Sequence, residues 1–140
     1  MPDLEIRNIH HLYSGYQIDI SAEQAALLRH KLIILQYPMY WFNMPAILKI
    51  WFDQVFTYQF AYGSKGNKLK NKKILVSMTV GQQEENFKLE NHFLINDFLQ
   101  TVKKISRICA NGLFRLYCFV WCFSCSRDSQ RRKDSKNKTA

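Results

Sequence analysis

The chain has 140 residues, 47% of them apolar, and a formal net charge of +9. That length suits one domain with a substantial core, and that apolar share fits a folded chain better than a disordered one. No run approaches the roughly 18 uncharged apolar residues of a membrane-spanning helix, and Met1-Pro-Asp-Leu-Glu-Ile-Arg7 lacks the basic and apolar regions of a signal peptide.

In chain order, residues 3–9 alternate polar and apolar side chains, which predicts a half-buried strand. His10-His11-Leu-Tyr-Ser-Gly15 follows as a loop. Paired histidines invite a metal reading, but no Cys, Asp or Glu stands at ligand spacing, which favours plain loop histidines and no metal. Ser21-Ala-Glu-Gln24 has the form of a capping box, where serine and the residue three later satisfy each other's free amides. It opens a helix through about Arg29. Residues 31–37 read as a fully buried strand.

That strand runs into Tyr37-Pro-Met-Tyr-Trp-Phe42 and then into a second helix. Asn43 is placed to cap this helix, and Pro45 is tolerated in its first turn, where no intrahelical amide bond is lost. Ile47, Ile50, Trp51 and Val55 share one helical face and predict core packing. Tyr58 to Asn67 is an aromatic, glycine-bearing loop. The four lysines between Lys68 and Lys73 predict a solvated approach to the next strand, residues 73–79. That strand ends in Thr79-Val-Gly81-Gln82, where Gly81 lets the backbone approach a ligand closely. Residues 87–106 read as a helix, and a fifth strand of the fold is possible at 116–123. Helices alternating with buried strands predict an α/β fold with a parallel sheet and crossover helices.

In open α/β sheets, ligands bind in crevices outside the carboxyl ends of the strands. The aromatics and backbone amides after Tyr37 suit a flat, polar-edged ring such as a flavin. Taken alone, the pattern favours burying the same residues as core at a strand–helix junction, and the balance changes only with the second strand end at Thr79–Gln82.

Cys109, Cys118, Cys122 and Cys125 all lie in the last third. Cys122-x-x-Cys125 has redox or half-zinc spacing, but no second ligand pair or thioredoxin-like context accompanies it, so ordinary cytosolic thiols are expected. Charge is also uneven. Residues 1–100 carry ten Lys/Arg against nine Asp/Glu, whereas 101–140 carry ten against two. Residues 126–140 are polar or charged except Ala140, without periodicity or aromatics, and are expected to form a basic disordered tail behind a domain over 1–125. Such a tail can contact nucleic acid or acidic lipid, but a solvated end is the expectation and no nucleic-acid partner is assigned.

Tyr37-Pro-Met-Tyr-Trp-Phe-Asn-Met-Pro45, Leu48-Lys-Ile-Trp-Phe-Asp-Gln-Val-Phe56, Phe60-Ala-Tyr-Gly63 and Thr79-Val-Gly81 occur in one order. Together they resemble the flavodoxin-like NAD(P)H:quinone oxidoreductase family, which includes quinone reductases and the ancillary flavoproteins of glutathione-gated potassium-efflux systems. The resemblance spans roughly residues 3–100. It implies a flavodoxin-like parallel sheet with helices on both faces, and hydride transfer from NAD(P)H through FMN or FAD to a quinone. It also implies that Pro38, Met39, Tyr40, Trp41 and Phe42 form one flavin-binding loop and that Thr79, Val80, Gly81 and Gln82 form the other. Tyr62 resembles an aromatic that closes the site from the partner subunit, so a homodimer is implied. So is a cytoplasmic location, peripheral at the inner membrane face if the chain serves a potassium-efflux transporter as a regulatory subunit. No catalytic proton donor is assigned, because Phe87 stands near a tyrosine's place in some relatives and His92 has no firm counterpart.

The chain also departs from the family. Asp3-Leu-Glu-Ile-Arg7 resembles the family's second strand, so the first strand and its phosphate-binding loop are expected to be absent, as in a fold truncated at the N-terminus. Gln82-Gln-Glu84 replaces a second glycine, and the stretch after Gln100 suggests a degraded end or an inactive gene fragment. Deleting residues 126–140 should leave the melting temperature unchanged in calorimetry. A drop of several degrees would show the tail docked on the domain.

Overall fold

The computed structural model describes residues 4–82, 87, 95–110 and 116–122, with residues 96, 110 and 116–122 described through their backbone. Three strands, β1 Leu32–Pro38, β2 Lys73–Val80 and β3 Leu116–Cys122, form one parallel sheet in the order β1-β2-β3. Helix α3, Ala46–Val55, connects β1 to β2, and α4 Ile95–Phe98 with α5 Gln100–Ala110 lie between β2 and β3. Helices α1 Ile9–Leu12 and α2 Ile20–Arg29 precede β1. Parallel neighbours joined through helices form the expected α/β arrangement. No helix among the described residues is long and apolar enough to cross a membrane.

Register explains the core. Ile33, Leu35 and Tyr37 sit level with Ile74, Val76 and Met78, and this face of the sheet is closed against the helices. Ile47, Leu48, Trp51, Phe52 and Val55 of α3 are buried in the same core cluster. The other face is more open, with Leu32 and Ile34 half exposed. β1 is therefore alternately buried rather than fully buried as its apolar run suggested. Among the described residues, β1 has a strand on one side only.

Several local expectations are corrected. Residues 4–8 form no strand, and residues 9–12 of the expected strand and loop are the short α1. Among the described residues, no ladder partner is available to convert the alternation of 4–8 into a strand. Asp19, not Ser21, caps α2, its carboxylate accepting the Ala22 amide at 2.9 Å. Asn43 does not cap α3, which begins after Pro45 without a side-chain cap. Lys72 is no solvated lysine: buried beneath α2, its Nζ donates to the carbonyls of His30 and Leu28 at 2.7 and 3.1 Å, ending that helix. The helix read over 87–106 is two helices meeting at buried Leu99 where it is described, and Asn96-Asp97, which favour local backbone bonding over helix interiors, precede the break. Gln83, Glu84, His92, Cys125 and the tail 126–140 lie outside the described residues.

Glu23 organises the helical layer. It shares a face of α2 with Ala26 and Leu27, the i, i+3, i+4 spacing of a buried stripe, and is itself buried. Its carboxylate accepts from Arg7 Nε and Nη2 at 2.8 and 2.6 Å, from the Tyr13 hydroxyl at 2.6 Å, and from Trp51 Nε1 at 2.9 Å. One side chain thus joins residues 4–8, the turn after α1, and α2 to α3. Burial works to raise the Glu23 carboxyl, but hydrogen bonds from Arg7, Tyr13 and Trp51 outweigh it and hold the group below the ordinary glutamate value. Nearby, hydrogen bonds from His30, Arg29 and Arg7 lower exposed Glu5 to about 2.

Both depressed carboxyls add stability that is present above the ordinary glutamate value of 4.5 and is lost as pH falls through their folded values, about 2 for Glu5. Glu23→Gln should cost about 3 kcal/mol in urea denaturation at neutral pH, the low end for breaking a buried pair, because Arg7 is only partly buried. The variant should also lose less stability than wild type between pH 5 and pH 2 (roughly, by the linkage of each lowered carboxyl). Equal acid sensitivity in both proteins would remove Glu23 as the organising group. Burial likewise raises the Cys109 thiol to about 11, so Cys109 should resist alkylation in the folded protein at neutral pH and react once it is unfolded.

Candidate functional site

The carboxyl ends of β1 and β2 are adjacent, since Pro38 is the register partner of Thr79. Just past that pair, the Met39 amide donates to the Thr79 carbonyl at 2.8 Å. The two loops singled out in the sequence therefore meet. Their junction lies where an open parallel sheet forms a ligand crevice.

The first loop is a tight reversal. The Tyr40 amide donates to the Asn43 carbonyl at 2.9 Å and the Asn43 amide to the Tyr40 carbonyl at 3.0 Å, leaving Trp41 and Phe42 as the two central residues. Both have positive φ, 47° and 62°, the pattern of a two-residue turn usually filled by Asn-Gly. Two aromatic residues in that backbone region cost on the order of 1–3 kcal/mol each. Asn43 is held to this turn rather than to α3, and its Oδ1 accepts the Met44 amide at 2.8 Å.

Trp41 is 94% exposed, whereas Tyr37 on the strand behind it is 6% exposed. The core alternative therefore holds for Tyr37 and fails for Trp41. Tyr40 is exposed and Met39 partly buried. Phe42 is anchored, its ring 5.3 Å from that of Phe98, which lies 6.2 Å from the ring of buried Phe87. The Tyr40 amide is already engaged by Asn43, so it is not available to a ligand as expected. Among the described residues the Trp41 amide makes no hydrogen bond.

The second loop is open where the first is aromatic. Val80 is buried, Gly81 and Gln82 are exposed, and a Cβ added at Gly81 would meet nothing within 4 Å among the described residues. The N-terminus of ten-residue α3 follows the aromatic turn without a capping side chain, so its partial positive charge remains available nearby.

Tyr62 stands apart. It lies beyond the far end of α3, about 15 Å of helix from the Trp41 turn. Its ring is 5.7 Å from that of Tyr58, and Gly63 at φ 96° packs against Tyr58, where a Cβ would come within 2.6 Å of the ring. One chain therefore joins residues 38–42 to 79–82 and leaves Tyr62 on another loop. Sequence reasoning missed Gln24, whose Nε2 donates to the Val55 carbonyl and the Thr57 hydroxyl at 2.8 and 3.0 Å, tying that loop to α2. Its position beside the buried stripe of α2 was the available signal.

Comparison with known proteins agrees with this architecture. The profile of the flavodoxin-like fold family matches residues 2–119. The glutathione-regulated potassium-efflux system ancillary protein KefF of Enterobacter sp. (strain 638) is 37% identical over 134 residues, covering 92% of this chain and 75% of that protein. Among solved structures, the general stress protein 14 of Treponema denticola in complex with FMN superimposes with a TM-score of 0.77 at 29% identity, over 92% of this chain and 74% of that one. A Streptomycin violaceusniger protein described as a thermophilic tryptophan halogenase gives 0.80 at 26% identity, over 99% and 81%. A putative quinone reductase of Klebsiella pneumoniae gives 0.67 at 26% identity, over 85% and 51%. With the parallel sheet, the crossover helices and the profile match in agreement, the chain belongs to the flavodoxin-like family, as a relative of the KefF ancillary proteins.

Proposed function

We propose that this chain binds a flavin at the junction of the two loops and serves as an NAD(P)H oxidoreductase with a quinone as acceptor. The observation that carries the reading is the strained, exposed Trp41-Phe42 turn, bonded through Met39 to the end of β2 beside the open Gly81. Strain of this kind persists where the surrounding structure holds it in place, and it clusters at ligand sites. Among the described residues, those present fit a flat ring: an aromatic wall from Trp41, an unbonded Trp41 amide toward a polar edge, and space without a side chain at Gly81. FMN is favoured over FAD because the Treponema denticola relative is a complex with FMN. When bound, a flavin supplies the two-electron chemistry, taking hydride from NAD(P)H and giving it to the quinone.

The chain's own residues do the positioning. Pro38 and Thr79 set the loop ends level, Met39 locks one loop to the other, and Phe42 fixes the turn against Phe98. Tyr40 and Gln82, both exposed, flank the ring, buried Val80 holds the second loop to the core beneath it, and Tyr62 reaches the site of a partner copy in a homodimer, since its own chain holds it at the other end of α3. The resemblance to KefF supports a second role on the same fold, as an ancillary subunit of a potassium-efflux transporter at the inner face of the membrane.

Trp41→Gly separates ligand binding from folding. It should relieve one strained position, leaving urea stability unchanged or raised by about 1 kcal/mol, and should weaken FMN binding at least tenfold in a fluorescence-quenching titration. Unchanged affinity with an intact fold would remove Trp41 from the site. A loss of several kcal/mol would return Trp41 to a structural role.

A further inference from the structure

The Trp41-Phe42 turn touches an element that belongs to neither loop. Helices α4 and α5 meet at Leu99, and Leu99, Val102, Ser106 and Cys109 are buried at the spacing of one helical face. Phe98, one residue ahead of that stripe, is only partly buried. Its ring lies 5.3 Å from that of Phe42, with the planes tilted by 33°. The same ring lies 6.2 Å from that of Phe87, edge to face at 81°. Phe87 is buried and follows Gln82 by five residues. Both separations fall in the range of attractive ring pairs. Rings thus run from the first loop, through the end of α4, to the segment that follows the second loop.

We propose that Phe98 is a positioning residue for the ring-binding site: acting through Phe42, it selects the left-handed turn that presents Trp41, and Phe87 backs it from the core. The paired Tyr40–Asn43 bonds close a four-residue reversal, and residues with side chains make such a reversal more easily with negative φ. Those bonds do not by themselves select the left-handed form. The ring contact does, because a change in the sign of φ would redirect the Cα–Cβ bond of Phe42 and carry its ring away from Phe98. Exposed Trp41 has no comparable burial to hold the turn. The bond from the Met39 amide to the Thr79 carbonyl lies outside the two central residues, so it joins the loops without setting the turn. The consequence for ligand affinity rests on the flavin reading above, whereas the shape of the turn does not.

Nuclear magnetic resonance of the full chain reads the turn directly. A left-handed residue holds its own amide and Cα hydrogens close together, so Trp41 and Phe42 should each give a strong intraresidue Overhauser effect. Phe98→Leu keeps apolar volume beside Leu99 and removes the ring. It should lose the strong effect at both residues and weaken FMN binding at least tenfold, with the amides of α2 unmoved. Phe98→Tyr keeps the ring and should retain both the effect and the affinity. Phe56→Leu removes a ring that packs on the core at the far end of α3, and it should change neither. An unchanged turn in Phe98→Leu would overturn the proposal. So would an equal loss in Phe56→Leu, which would mean general loosening of the core, or a lost turn with wild-type FMN affinity. The Overhauser readout needs no flavin, so a wild-type chain that bound no FMN would count against the flavin reading alone.

Discussion

The structure depends on one buried carboxylate with four donors. Glu23 is charged and buried, and such a group is tolerable only when its lone pairs are satisfied. Arg7 neutralises it while Tyr13 and Trp51 complete its shell. These partners come from three parts of the chain, so satisfying the charge also fixes α2 against α3. Helix α3 in turn carries the aromatic turn at its start and the Tyr58–Tyr62 pair just past its end. Gln24, next to Glu23, ties down that second end. The placement of the aromatic turn and of the Tyr58–Tyr62 loop is thereby referred to α2.

The candidate site shows the opposite economy. Helix positions are satisfied by burial and hydrogen bonds, but the Trp41-Phe42 turn carries two aromatics in a backbone region that glycine would occupy more easily. Phe42 is stabilised by its contact with Phe98, whereas Trp41 gains almost no burial. A residue that is both strained and exposed contributes nothing evident to folding, and ligand contact gives a physical reason for it. The neighbouring Gly81 offers the complementary feature, backbone with no side chain in the way among the described residues.

Much of this was legible in the sequence. The apolar runs ending at Tyr37 and Thr79 gave strands, the spacing of Ile47, Trp51 and Val55 gave the buried face of α3, and the order of the loop motifs gave the family. The expected strand at 116–123 is present as β3. Features set by long-range partners were not legible. The alternation in 3–9 looks like a strand, but a strand needs a neighbour, and among the described residues this segment has none. Asn43 and Ser21 have the chemistry of helix caps, yet tertiary placement gave Asn43 to the aromatic turn and the cap of α2 to Asp19. Lys72 sits in a run of lysines that reads as solvated, and only the folded chain brings it under the α2 carbonyls. The meeting of the two loops was inferred from fold rules, whereas the positive φ of Trp41 and Phe42 had no sequence signal, since aromatics are poor candidates for that turn.

The central claim is that the two strand-end loops form one ring-binding site. Amide nuclear magnetic resonance of the isotope-labelled chain during titration with FMN tests it residue by residue. The account predicts saturable shifts confined to residues 39–43 and 79–82 and their immediate neighbours, with the amides of α2 unmoved. Saturable shifts centred on any other surface, or no shifts at FMN concentrations that saturate flavodoxin-like relatives, would contradict it.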